Sequence, residues 1–165
     1  MPDGFDIQVS GMSELRQRLE AMKQRAANPG PGLLRAGMVV VAATKDHIKS
    51  GGPGWPPNQT GTPLLFKTGR LMNSITVNVD GDTAEVGTNV FYAKWLQEGT
   101  GIYGPTGQRI FPTTKKALAW DGHVVRSIKG MKPRRFLYID AAQSEKIRDV
   151  FANYIVNGGP RGTSG

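Results

Sequence analysis

Between Ile75 and Thr100 the chain passes from period-two alternation into a short helical repeat without a break, and few architectures accommodate that order. Ile75-Thr-Val-Asn-Val79 and Thr83-Ala-Glu-Val-Gly87 alternate apolar and polar residues around Asp80-Gly81-Asp82, the strongest hairpin signal in the sequence. The run V-G-T-N-V-F-Y-A-K-W-L-Q-E-G-T, Val86 to Thr100, leaves the strand at Val86-Gly87-Thr88 and becomes an amphipathic helix carrying Tyr92, Ala93 and Leu96. Gly99 stands where a left-handed residue would stop that helix. An antiparallel hairpin feeding a helix points to an α+β fold and gives no sign of parallel βαβ units.

The flanking sequence extends the pattern. Phe5, Ile7 and Val9 alternate with polar residues as a short half-buried strand does. Ser13 is placed to cap a helix whose face carries Leu15, Leu19, Met22 and Ala26. Asn28-Pro29-Gly30-Pro31-Gly32 ends it, and a second helix is predicted from Leu33 to about Lys49. Met38 to Ala43 is apolar nearly all round, so this helix is expected to be the most buried, paired with the first as a helical hairpin. Leu65 to Ser74 reads as a short helix. Ala117–Trp120 and His123–Ile128 flank Asp121-Gly122 as a second hairpin. Lys129 to Lys132 then leads through Pro133 into a long C-terminal helix with Ile139, Ala142, Ile147, Val150, Phe151 and Tyr154 as its stripe, stopped at Asn157-Gly-Gly-Pro160. The expected class is α+β, an antiparallel sheet of hairpins with helices packed on one face. Residues 1–160 form a single domain in this reading and 161–165 a flexible end.

Chemistry is sparse. The chain has no cysteine, which removes disulfides, thiolate metal sites and cysteine nucleophiles together. Its two histidines, His47 and His123, lack metal-ligand spacing and are given structural or surface roles. No G-x-x-x-x-G-K-[ST] occurs, and Asp80 and Asp82 are explained by the turn they flank. The expectation is a non-enzyme with no cofactor and no metal. The acidic, turn-rich start does not suit a signal peptide, and the longest apolar run falls far below the ~20 residues that span a bilayer. A soluble, intracellular protein is expected while it is being made.

Charge is the remaining lead. Of the formal net charge of +8, residues 101–138 hold +7: Arg109, Lys115, Lys116, Arg126, Lys129, Lys132, Arg134 and Arg135 against Asp121. Such a segment predicts an acidic partner, either nucleic acid or an acidic protein surface. Phe111, Trp120 and Phe136 interleave with the cations as base-stacking residues do, although alternation also places Trp120 and Phe136 in a core. Arg109, Phe111, Lys129, Lys132, Arg134 and Arg135 are the candidate interface residues. Trp55 joins them, alone in the Gly/Pro-rich loop Ser50–Pro63. It anchors that loop either to its own domain or to a neighbouring subunit.

Three pieces in order carry a family likeness: Lys67-Thr68-Gly69-Arg70-Leu71 leading into Ser74-Ile75, then Val86 to Thr100, then Pro133-Arg134-Arg135-Phe136-Leu137 opening the last helix. Together they resemble the neck and tail-completion proteins of tailed bacteriophages, often labelled virion morphogenesis or minor tail proteins. The likeness covers roughly residues 5 to 156. It implies a small α+β subunit that assembles with copies of itself as a ring, usually a hexamer, at the head–tail junction. Implied partners are the adjoining head-connector, tail-terminator or tail-tube proteins, with DNA passing nearby and no membrane. It implies a place in the virion, and host cytoplasm during assembly. Gly69, Leu71, Tyr92, Ala93, Gly99 and Arg135-Phe136-Leu137 match recurring family positions and read as packing and turn residues. The alternative is a basic module that binds nucleic acid directly.

Overall fold

A computed structural model describes residues 11–52, 55, 65, 68–120 and 122–159, without the side chain of Trp120. The expected strand at 5–9, most of the 50–63 loop and the 161–165 end lie outside the described residues.

Helix α1, Met12–Ala27, is joined through Asn28 and Pro29 to α2, Gly30–Ser50. The expected N-cap Ser13 lies inside α1; Gly11, in a left-handed conformation, precedes the helix and no side chain caps it. Helix α2 begins earlier than expected because Pro31 sits in its first turn, where a missing N–H costs nothing. Short α3, Arg70–Asn73, precedes the hairpin β1, Thr76–Asp80, and β2, Thr83–Gly87. Helix α4 is Ala93–Glu98. Strands β3, Leu118–Trp120, and β4, His123–Val125, form the second hairpin, and α5, Ala141–Asn157, closes the chain.

The class is α+β with antiparallel hairpins, as expected. The hairpins stay apart as two two-stranded sheets, paired Asn78 to Glu85 in the first and Ala119 to Val124 in the second. Helix α2 is central: it packs against α5 and both strands of the first hairpin. Its approach to the sheet is close because position 37 is glycine; a Cβ there would drive into Val77. Val41, Ile48, Leu71, Ile75, Val90, Ala93, Leu96 and Phe136 form the buried cluster. Each of these side chains larger than alanine contributes about 1.5–3 kcal/mol through apolar burial.

Two expectations are corrected. The last helix does not open at Pro133. Residues 131–139 run as an irregular strap, and α5 starts where Asp140 and Gln143 form a reciprocal capping box. Ile139 therefore lies outside the helix and is exposed. Phe136 is instead the largest fully buried side chain among the described residues, because the strap carries it across α4. The second correction concerns α1, which buries no residue; Met12, Leu15 and Leu19 all face outward. The described contacts fix α1 near its C-terminal end. Arg25 donates to the carbonyl of Ile155 at 2.7 Å, in the last turn of α5, and the Tyr154 hydroxyl donates to Asn28 at 2.8 Å.

Candidate interface: a basic arm on a packed body

After α4 the chain leaves the body and returns to it as an arm. The root is backbone against backbone. Thr100 N–H donates to Met131 at 2.9 Å, Ile102 N–H donates to Lys129 at 2.8 Å, and the Thr100 hydroxyl accepts from Met131 N–H at 2.9 Å. Gly101 and Gly130 face each other here with φ of 63° and 92°, values that favour glycine. A Cβ on either would collide with the opposite main chain. Further out, Ile110 and Ile128 exchange both backbone hydrogen bonds, at 2.9 and 3.0 Å. Strands β3 and β4 form the tip and pack chiefly on each other. Gly99 has φ 80° and ψ 179°, so it ends α4 in an extended glycine conformation rather than the left-handed helical one expected.

The arm brings together most of the predicted interface residues. Arg109, Lys129 and Lys132 are exposed, as are Lys115, Lys116 and Arg126. Arg109 is steadied by donating to the Ser127 hydroxyl at 2.9 Å, and Lys132 lies 5.9 Å from the centre of the Tyr103 ring. Phe111 is 62% exposed and Val124 at the tip 70%. Among the described residues the only ion pairs are Arg18–Glu14 and Lys23–Glu20, both within α1, so no described carboxylate is paired with the arm's cations.

Arg135 is exposed on the strap, but Arg134 is placed differently. Its N–H donates to Leu96 at 2.6 Å, its guanidinium reaches the Met131 sulfur at 3.1 Å, and its Nε is buried without a partner. Burial pulls its pKa below the ordinary arginine value. Arg134 thus ties the strap to α4 and offers less of its charge to a partner than its neighbours do. Trp55 is half-buried against the core cluster, and its ring lies where a Cβ on Gly52 would sit. That is the arrangement the own-domain anchoring alternative describes. Trp120 lies in β3 by its backbone.

Some organising residues carry no signal that the sequence reading used. Gln97 accepts from the N–H groups of Phe136 and Leu137, both at 3.1 Å, and donates to Leu137 O at 2.8 Å. One amide side chain thereby pairs like a strand and holds the strap. His47 stacks on Tyr138, with ring centroids 4.0 Å apart. Its Nδ1 lies 3.1 Å from Phe136 O and its Nε2 3.1 Å from the Gln143 amide nitrogen. The carbonyl can only accept and the amide nitrogen can only donate, so Nδ1 is the ring's donor and Nε2 its acceptor in this arrangement. This is a structural role, as expected for His47. Phe91 and Trp95 meet edge-to-face with centroids 5.6 Å apart, and both are exposed.

Among the described residues there is no group of three or more His, Asp or Glu able to hold a metal, and no helix is long and apolar enough to cross a membrane. The profile of the phage virion morphogenesis family matches residues 12–156, from the first turn of α1 to the last of α5. The chain is also similar to the Mu-like prophage FluMu G protein 2 of Haemophilus influenzae, 35% identical over 99 residues that cover 58% of this chain and 70% of that protein. No solved structure matches it.

Proposed function

We propose, from the premise that this chain belongs to the phage virion morphogenesis family, that it is a structural subunit of the head–tail junction, assembled with copies of itself as a ring that completes the tail and helps join it to the head. The observation that carries this reading is the arm. A glycine-locked root projects an arm whose cations have no described ion-pair partner and whose Phe111 and Val124 are mostly exposed. Such a surface suits another chain better than a small molecule. The role is assembly without turnover, and its place is the virion.

In a ring, +7 per subunit becomes an annular field. Cations lining the channel would grip passing phosphates and retard DNA, since such contacts are cumulative and salt-dependent. The arm therefore faces protein neighbours or the outside in this reading, against head-connector, tail-terminator or tail-tube surfaces. The arm's charge density also favours a second reading, direct DNA binding, and it predicts arms pointing into the lumen. Deleting the gene from the phage or induced prophage separates the roles. The expected product is filled heads with unjoined or defective tails and normal DNA replication; normal infectious particles would reject the proposal.

A further inference from the structure

The first hairpin is the electrostatic opposite of the arm. Strands β1 and β2 turn Val77, Val79, Ala84 and Val86 inward, half-buried, while Thr76, Asn78, Asp80, Thr83 and Glu85 face outward. Asp82 lies in the turn beside them. Residues 76–87 hold three carboxylates and no lysine or arginine. Among the described residues no cation lies within ion-pair distance of Asp80, Asp82 or Glu85, the sheet has two strands, and nothing covers its outer face, whose residues are exposed.

We infer that this outer face of the first hairpin, centred on Asp80 and Glu85, receives the basic arm of a second copy of the same chain. The inference rests on the ring reading above and adds the pair of surfaces that makes the ring. The two surfaces differ, so the contact is head-to-tail. A contact of that kind repeats from subunit to subunit and closes into a ring when the rotation permits, whereas a self-complementary patch would stop at a dimer. Charge complementarity identifies the occupant. Among the described residues each surface lacks a counter-charge in its own subunit, and each chain carries both. The hairpin is rigidly mounted, with Val77 pressed onto α2 at Gly37, and the arm is a projection able to reach a neighbour. Opposed exposed charges supply orientation and register more than raw affinity, which suits subunits that are gathered onto a particle. Phe111 and Val124 add apolar area to the same contact.

The test is sedimentation of the full-length protein over a concentration series, beside two charge-reversed forms: Asp80→Lys with Glu85→Lys, and Arg109→Glu with Lys129→Glu and Lys132→Glu. The wild type is expected to self-associate, with dissociation constants rising about tenfold or more from roughly 50 to 300 mM salt, as exposed charges are screened over that range. Each reversed form alone is expected to be monomeric, and an equimolar mixture to associate again, because each now complements the other. Thermal unfolding confirms that the variants fold; if the lysine form does not, Asp80→Asn with Glu85→Gln replaces it and is expected to weaken association in the same direction. Association that ignores both reversals overturns the hairpin–arm contact while leaving a ring intact. Loss of association in the arm variant alone also overturns it, and places the acidic partner elsewhere. A wild type that stays monomeric at millimolar concentration in low salt overturns it too, with the ring itself decided separately by imaging the particle.

Discussion

The body and the arm of this protein are stabilised by different means. Side chains hold the body: Phe136 at 2% exposure and Leu71 share a buried cluster with Ile48 of α2, and Gln97 and His47 fasten the strap across them. The arm is held by its backbone, through the Gly101–Gly130 crossing and the Ile110–Ile128 pair, while Phe111 and Val124 stay in solvent. A region that buries its apolar residues defines a fold. One that withholds them from its own core, and is built stiffly enough to present them, defines a contact.

The sharpest way to break this comparison is a pair of phenylalanine truncations. Phe136→Ala empties a fully enclosed site and is expected to destabilise the protein by about 3–5 kcal/mol. Phe111→Ala removes a ring of the same size from a mostly exposed site and is expected to change stability by less than about 0.5 kcal/mol, while weakening assembly. Chemical denaturation measures the first effect and particle joining the second. Equal stability losses in the two variants would mean that the arm belongs to the core.

A smaller effect probes the root. Gly130→Ala places a Cβ against the main chain of Thr100 and holds a non-glycine residue at positive φ. A strained backbone of this kind costs about 1–3 kcal/mol. Because the arm packs little on the body, the cost is expected to appear locally. Amide exchange should accelerate at Ile102, Ile110 and Ile128, and the core amides of α2 should keep their protection. Uniform acceleration throughout would show that body and arm unfold as one unit.

The same division explains what could be read from the sequence. Alternation around Asp80-Gly81-Asp82 and the apolar stripes of α1 and α2 located the hairpin and helices, because local periodicity reflects which face an element turns inward. Periodicity does not say whether anything covers that face. The stripe of α1 was legible and its exposure was not, since covering it depends on where α5 and any neighbouring chain lie. The strap reads as helix in the sequence because Phe136 and Leu137 are apolar and follow a proline, while what orders them is Gln97, distant in sequence and unremarkable beside Trp95 and Leu96. The basic residues of the arm could be counted but not sorted. Only the fold separates Arg134, drawn in beside Met131, from Arg109, Lys129 and Lys132, left in water.

The smallest expected effect lies within the body and runs against the usual direction of core mutations. Thr44 sits on the buried face of α2 at zero exposure, and its hydroxyl has no hydrogen-bond partner among the described residues. An unpaired buried hydroxyl loses its water without compensation, a penalty of about 1–3 kcal/mol, and its apolar replacement can be neutral or stabilising. Valine keeps the branched shape and substitutes a methyl for the hydroxyl. Its helix propensity is close to that of threonine, so the backbone contributes little to the difference. Thr44→Val is therefore expected to stabilise the protein by about 1 kcal/mol, read as a higher denaturant midpoint at unchanged slope. No comparable gain is expected from trimming polar groups on the arm, where water already satisfies them. If Thr44→Val instead lowers stability, the hydroxyl has a partner in the assembled or hydrated protein, and the core around α2 is less dry than its packing indicates.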